Sequence, residues 1–181
     1  IDGLDGLAAG FTVVAMSAFT FWFCSVGAQP EALLSLATGG TMLGFLVFNL
    51  APARIFMGDC GSLFIGVIGY VLATSLMSTP AENIPEHLLL VPKEVLVMGI
   101  LAYPLVDTLR VFVLRAVRGI SPFHPDRNHL HHRLMMRYRT HRKTVFVVYG
   151  YSIFMIALAF STSFFGRALP VEILFGGMLV I

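Results

Sequence analysis

The sequence predicts an all-α protein, a polytopic transmembrane bundle whose helices cross a membrane several times. Of its 181 residues, 57% are hydrophobic and only 12% are charged, and the mean hydropathy is +0.84. Soluble domains carry about 25% charged residues. Long uncharged runs are also present, and a membrane helix needs roughly 20 apolar residues. Because backbone polar groups find no water inside a bilayer, we expect the spans to be helical.

The positions of the charges predict about five full spans and a short sixth. Four spans lie in the uncharged runs 6–30, 32–53, 60–81 and 144–166. A further span is predicted over 95–114, and a last one over 173–181 stops where the chain ends. We expect a single membrane domain over 1–181, and an incomplete one, because the chain starts at Ile1 and stops within an apolar run.

Basic residues distinguish the two sides of the predicted bundle. Alternating spans place nine lysines and arginines on one side and two on the other. An excess of positive charge marks the cytoplasmic side of a membrane protein, so we expect the first side to face the cytoplasm. The segments on that side that carry unusual chemistry are 1–7, 49–62 and 115–143.

The first candidate segment reads Ile-Asp-Gly-Leu-Asp-Gly-Leu and contains Asp2 and Asp5. The two carboxylates share a face if the segment is helical, and the positive end of a following helix stabilises negative charge. Helix capping combined with a turn explains the same pattern. Both interpretations stay open for this motif alone.

The second segment, Phe-Met-Gly-Asp-Cys-Gly-Ser at 56–62, places glycines on both sides of Asp59. Glycines allow a ligand to approach the backbone closely, and Ser62 is predicted to cap the following span. One carboxylate suits Mg²⁺, which binds one or two carboxylates together with substrate phosphates. A capped turn is the alternative, but it leaves an acidic residue near Phe56 at the membrane surface unexplained.

The third segment is rich in imidazole and guanidinium groups. It reads Ser-Pro-Phe-His-Pro-Asp-Arg-Asn-His-Leu-His-His-Arg over 121–133. Arginine forks and histidines match phosphate oxygens. Zinc sites usually show an i, i+4 histidine pair and further ligands, which this spacing lacks. We therefore favour phosphate binding over zinc and over a solvated basic loop.

Asp107, within Pro-Leu-Val-Asp, is an ionisable residue inside a predicted span. Such residues are functional candidates. An ion pair with Arg110, one helical turn away, is the structural alternative, and the sequence leaves the choice open.

Taken in order, these motifs resemble the polyprenyl-phosphate N-acetylhexosamine-1-phosphate transferases, glycosyltransferase family 4. The resemblance runs from Ile1 to about Arg137. The His-Leu-His-His form is similar to the branch that transfers GlcNAc 1-phosphate to undecaprenyl phosphate rather than to the muramoyl-pentapeptide branch. The family's paired-aspartate loop and the asparagine expected before Ile1 are absent, so the chain is identified as a C-terminal part of a family member.

The resemblance implies a Mg²⁺-dependent enzyme, with Mn²⁺ as an alternative metal. It would move N-acetylhexosamine 1-phosphate from a UDP-sugar to undecaprenyl phosphate and release UMP, at the start of cell-wall, lipopolysaccharide or O-antigen assembly. Asp59 would bind the metal, Phe56 would stack on uracil, Asp5 would contact uracil, and Asp2 belongs to the same catalytic motif. The other implied substrate-binding residues are Arg127, His129, His131, His132 and Arg133.

The implied setting is the bacterial inner membrane, with the active site on its cytoplasmic face. Membrane lipid is an expected partner, nucleic acid is not, and a homodimer is left open. A transporter is one rival, although transporters group their binding residues near the midplane. A zinc hydrolase built on the histidines is a second, and a part of the transferase that is inactive alone is a third.

Overall fold

The computed structural model describes residues 4–117, 119 and 130–165, and of residues 130–133 and 162–165 it describes only the backbone. Within these residues the chain is helical and has no strand, which confirms the all-α prediction. The helices are α1 Leu7–Ser25, α2 Gln29–Asn49, α3 Gly58–Ser78, α4 Lys93–Ile100, α5 Ala102–Val117, α6 Leu130–Tyr138 and α7 His141–Phe165. Two short 3₁₀ helices, Ala81–Asn83 and Glu86–Leu88, connect α3 to α4.

Four described helices are long and apolar enough to cross a membrane: α1, α2, α3 and α7. They coincide with the four uncharged runs, so the prediction of a multi-pass membrane protein is confirmed. The α4–α5 pair passes the same test as one broken unit. The predicted span at 173–181 lies outside the described residues.

The predicted span over 95–114 is broken rather than continuous. α4 ends at Ile100, and α5 leaves it at an angle of 77°. Pro104 explains the break, because a proline has no amide hydrogen for the carbonyl four residues earlier, and its ring clashes with that carbonyl. The residue four positions before Pro104 is Ile100. Helical bonding has resumed by Leu105, whose amide donates to the Leu101 carbonyl at 3.1 Å.

The central helix of the described bundle is α1. Its most apolar stretch is 67% buried, against 17% for α2, 22% for α3 and 33% for α7. It packs against all three of these helices. Small residues such as Gly10 let neighbouring helices approach closely. The fully buried rings of Phe19, Trp22 and Phe23 fill the core farther along the same helix.

The two ends of the bundle are held by different contacts. At one end, Lys93 Nζ donates to the carbonyls of Met77 and Thr79 at 2.9 and 2.8 Å, which satisfies the C-terminal end of α3. Near the same end, Ser75 donates to the Glu31 carboxylate at 2.9 Å. The opposite end contains the turn before α1, the segment between α2 and α3, and the start of α7, and it holds the candidate site.

Candidate functional site

Asp5 lies in a turn before α1 and not in the helix. Gly6 follows it with φ 83°, a left-handed conformation that glycine adopts without strain, and α1 begins at Leu7. The condition for a shared helical face of Asp2 and Asp5 is therefore not met at Asp5, which lies in the turn of the alternative interpretation, and Asp2 lies outside the described residues. Capping does not explain Asp5 either, because no side chain caps α1 within the described part of the chain.

The Asp5 carboxylate instead binds the segment between α2 and α3. Its Oδ2 accepts a hydrogen bond from the Ala53 amide at 3.1 Å. Asn49 joins the same two segments, because its Oδ1 accepts from the Gly6 amide at 3.0 Å and its Nδ2 donates to the Ile55 carbonyl at 2.8 Å. Asn49 is only 5% exposed, so both bonds satisfy a buried amide. The first motif therefore meets the segment that leads into the second motif, at one end of the bundle.

α7 also contacts these two segments. The Tyr149 hydroxyl donates to the Gly6 carbonyl at 2.5 Å, and Arg142 Nε donates to the Ala51 carbonyl at 2.7 Å. The peptide bond between Ala51 and Pro52 is cis. Three segments distant in sequence are thus joined by hydrogen bonds at the same end.

Sequence reasoning missed Asn49, Arg142 and Tyr149. Asn49 has a recognisable signal, since it is a lone amide at the end of a long apolar span, three residues before Pro52. Arg142 was counted only as one of the basic residues on the predicted cytoplasmic side. Tyr149 lies within an uncharged run of α7, where the sequence contains no sign that its hydroxyl contacts Gly6.

The second motif presents an aromatic ring and a carboxylate on the surface. Phe56 is 75% exposed, and Asp59 is exposed in the first turn of α3. A carboxylate there is favoured by the positive end of the helix dipole. The predicted capping role of Ser62 is wrong, because α3 already begins at Gly58 and the Ser62 hydroxyl donates to the Asp59 carbonyl at 3.1 Å.

The third motif lies at or beyond the edge of the described residues. Arg127 and His129 are outside them, and for His131, His132 and Arg133 only the backbone, in α6, is described. α6 packs against α7, and the Thr144 hydroxyl contacts Met135 Sδ at 3.9 Å. The phosphate-binding role of this motif stays a prediction.

Among the described residues of the second motif, Asp59 is the side chain that could bind a metal ion. The described part of the chain contains no group of three or more His, Cys, Asp or Glu side chains that could hold a metal ion. Mg²⁺ does not need such a group, because substrate phosphates and water complete its shell beside one or two carboxylates. An exposed carboxylate beside a loop fits that requirement.

Asp107 differs from the exposed residues of the second motif because it is buried. It lies on α5 beyond the Pro104 break and is 4% exposed. Tyr103, one turn earlier, is fully buried, and its ring lies 5.9 Å from that of Phe11 on α1. The functional and the structural interpretations of Asp107 both stay open.

These features define a multi-pass membrane protein with exposed acidic and aromatic side chains at one end of its helices. The model of the glycosyl transferase family 4 matches residues 1–77, which contain the first two motifs. Sequence relatives extend the match over nearly the whole chain. The chain belongs to glycosyl transferase family 4.

Two relatives are named as N-acetylglucosamine phosphotransferases. The decaprenyl-phosphate N-acetylglucosaminephosphotransferase of Mycobacterium tuberculosis is 33% identical over 193 residues, which cover 99% of this chain and 47% of that protein. A probable undecaprenyl-phosphate N-acetylglucosaminyl 1-phosphate transferase of Bacillus subtilis is 36% identical over 163 residues, which cover 90% of this chain and 42% of the relative.

A third relative is of the muramoyl type. The phospho-N-acetylmuramoyl-pentapeptide-transferase of Corynebacterium diphtheriae is 48% identical over 94 residues, which cover 42% of this chain and 25% of that protein. The longer matches to the first two relatives agree with the predicted N-acetylglucosamine branch. The chain spans about half, or less, of the length of these relatives.

Proposed function

We propose that the protein transfers N-acetylhexosamine 1-phosphate, with N-acetylglucosamine as the sugar, from a UDP-sugar to undecaprenyl phosphate and releases UMP. The observation that carries this proposal is the hydrogen bond between Asp5 and Ala53. It brings the first motif to the segment that leads into Phe56 and Asp59, at one end of a membrane bundle. A lipid-anchored acceptor and a water-soluble donor can meet only at such a surface.

We place this end at the cytoplasmic face of a bacterial inner membrane. Exposed basic residues surround it in the described part of the chain: Arg54, Arg137, Arg139, Arg142 and Lys143. The connection at the other end, 78–94, has one lysine and three glutamates. This asymmetry supports the orientation because positive charge favours the cytoplasmic side.

The donor's uracil would bind between Phe56 and Asp5. The exposed Phe56 ring offers a stacking surface, and base–aromatic stacking is worth about 1–3 kcal/mol per base. A carboxylate accepts several hydrogen bonds. Asp5 can therefore accept the hydrogen bond from the Ala53 amide and a second one from the uracil base. The family resemblance supports both roles.

The reaction is a phosphoryl-group substitution. An oxygen of the lipid phosphate attacks the sugar-linked phosphorus, and the bond from that phosphorus to the oxygen shared with UMP breaks. UMP departs with the electron pair, and the sugar remains on a lipid diphosphate. Because both reactants are anionic, Arg127, Arg133 and the histidines are proposed to neutralise phosphate charge. Mg²⁺ bound at Asp59 would supply further charge neutralisation.

Release of UMP by the full-length protein tests this proposal. With UDP-N-acetylglucosamine and undecaprenyl phosphate, we expect UMP formation that EDTA abolishes and added Mg²⁺ restores. Asp59→Asn should lower the rate at least about 100-fold, as loss of a charge-stabilising group does. Glu82→Gln, at the opposite end, is the matched control and should keep the wild-type rate. Failure of the wild-type protein to release UMP would refute the proposal.

A transporter is the second candidate because of one observation. The α4–α5 break of 77° lies close to the buried Asp107, and transporters bind substrates at broken membrane helices. Vesicles that contain the full-length protein discriminate between the two functions. Uptake of UDP-N-acetylglucosamine without release of UMP would favour transport, whereas UMP release without uptake favours the transferase.

A further inference from the structure

We propose that two residues of α7, Arg142 and Tyr149, position the nucleotide site, although neither belongs to the sequence motifs. We call this pair of residues the α7 clamp. The Tyr149 hydroxyl donates a hydrogen bond to the Gly6 carbonyl, and Arg142 Nε donates one to the Ala51 carbonyl. These bonds join α7 to the two segments that Asp5 and Asn49 join to each other. Neither residue lies in the part of the chain that the family model matches. Both are positioning residues and not catalytic ones.

The fit of Tyr149 against α1 depends on Gly10. A methyl group added at Gly10 would lie 1.8 Å from the Tyr149 hydroxyl oxygen and 2.0 Å from its Cζ atom. Only glycine therefore leaves space for the ring at this position. The ring crosses the first turn of α1 there and reaches the Gly6 carbonyl, which also accepts from the Gly10 amide at 2.9 Å. Tyr149 thus fixes the turn that carries Asp5.

Arg142 fixes the other half of the site. Its Nε donates a hydrogen bond to the Ala51 carbonyl. Ala51 lies two residues before Ala53, whose amide donates to the Asp5 carboxylate. The arginine lies in the first turn of α7, and Tyr149 lies two turns farther along the same helix. Because one helix is bonded to both segments, loss of either bond would allow Phe56 to move relative to Asp5.

This inference rests on the proposed function, in which Phe56 and Asp5 contact the uracil of the donor. A loosened clamp should therefore weaken donor binding while the reacting groups stay in place. The KM for UDP-N-acetylglucosamine should rise, and kcat should change less. The KM for undecaprenyl phosphate should stay constant, because the clamp touches only the proposed nucleotide site.

Tyr149→Phe is the first test, because it removes one hydroxyl and keeps the ring. We expect the KM for UDP-N-acetylglucosamine to rise about two- to tenfold, the factor that corresponds to one ordinary hydrogen bond, with kcat within about twofold. Tyr151→Phe is the matched control, since the buried Tyr151 hydroxyl has no partner within the described residues. An unchanged KM in Tyr149→Phe, or an equal rise in Tyr151→Phe, would overturn the inference.

Gly10→Ala is an independent test that leaves Tyr149 unaltered. The added methyl group should displace the ring and raise the same KM at least as much as Tyr149→Phe does. Gly66→Ala, on an open part of α3 with no atom near the added methyl group, is its control. A wild-type KM in Gly10→Ala would show that the placement of Tyr149 does not matter for donor binding.

Arg142→Met tests the other contact, with Lys143→Met as a control that removes a neighbouring positive charge. Arg142→Met should raise the KM for the donor, and Arg142→Lys should recover part of the loss because an ammonium group can still donate to a carbonyl. Equal effects of Arg142→Met and Lys143→Met would show that only the net charge matters, and would overturn the role of Arg142.

Hydrogen exchange separates failure of the clamp from failure of the proposed function. Amides over 4–10 should exchange faster in Tyr149→Phe than in the wild-type protein, and amides over 49–56 should exchange faster in Arg142→Met, whether or not UMP is released. Unchanged exchange in both variants would overturn the clamp. If exchange is faster in the variants but the wild-type protein releases no UMP, the α7 clamp is a structural contact only. Its role in donor binding would then be rejected.

Discussion

The Asp5 carboxylate accepts a hydrogen bond from the Ala53 amide at 3.1 Å, across 48 positions of sequence. This contact joins the turn before α1 to the segment after α2. Asn49 reinforces it with one bond to each segment. The relation of Asp5 to the exposed Phe56 and Asp59 therefore depends on hydrogen bonds between side chains and the backbone, and not on packing of apolar side chains alone.

Substitutions of Asp5 should separate its structural role from its chemical one. Asp5→Ala loses the acceptor for the Ala53 amide and should destabilise the protein by about 1–2 kcal/mol, in the range for a hydrogen bond to a charged group that is partly exposed. Asp5→Asn keeps an acceptor oxygen and should stay within about 1 kcal/mol of wild type. Both should lose most UMP release. Thermal unfolding in detergent and a UMP assay measure the two effects, and full activity of Asp5→Asn would contradict a role for the charge.

Asn49→Ala should be among the most destabilising changes near the site. It leaves the Gly6 amide and the Ile55 carbonyl without their partner, and an unsatisfied buried group costs about 1–3 kcal/mol. We expect a clear fall in the unfolding temperature. Thr41→Val, on the exposed face of α2, is the control and should leave that temperature nearly unchanged. If Asn49→Ala unfolds at the wild-type temperature, Asn49 does not hold the two segments together.

Gly58→Ala should disturb the second motif through the backbone. Gly58 has φ 67°, and a residue with a Cβ atom in this conformation costs about 1–2 kcal/mol. The start of α3 should shift, and with it the exposed Asp59. We expect lower stability together with slower UMP release, measured by unfolding and by initial rates. A variant with wild-type stability and rate would show that the conformation of Gly58 is not required.

Pro104→Ala should reduce the bend between α4 and α5. The new amide can donate to the Ile100 carbonyl and so continue the helix across the break. Spin labels at Glu94 and Val113, both exposed, should then lie farther apart, as measured by pulsed electron paramagnetic resonance. An unchanged distance would mean that packing of α4 and α5 against α7, and not Pro104, sets the 77° angle.

The sequence predicted the membrane helices well because the signal for a span is local and strong. Uncharged runs located α1, α2, α3 and α7, whereas the α4–α5 break was missed among the described spans. Pro104 was visible, but proline is tolerated in membrane helices, so its presence did not require a break. The turn at Asp5 was also left open, since a helix and a turn fit the same residues until the φ angle of Gly6 is known.

The sequence named the motifs of the candidate site but not the contacts between segments. Asp5 and Asp59 could be named because acidic residues next to glycines are unusual at the ends of apolar spans, and Phe56 because of the family resemblance. The hydrogen bonds of Asn49 and Tyr149 depend on which helices become neighbours. Tertiary packing decides that, and no short pattern in the sequence encodes it.

Photolabelling with 5-azido-UDP-N-acetylglucosamine tests most directly whether the two motifs form a nucleotide site. The full-length protein would be irradiated with the probe in membranes, and the labelled peptides would be identified by mass spectrometry. We expect label within 49–57 or 4–6, with Phe56 as the main position, and protection by excess UMP. Label confined to 78–92, at the other end of the bundle, or label that UMP does not displace, would contradict the account.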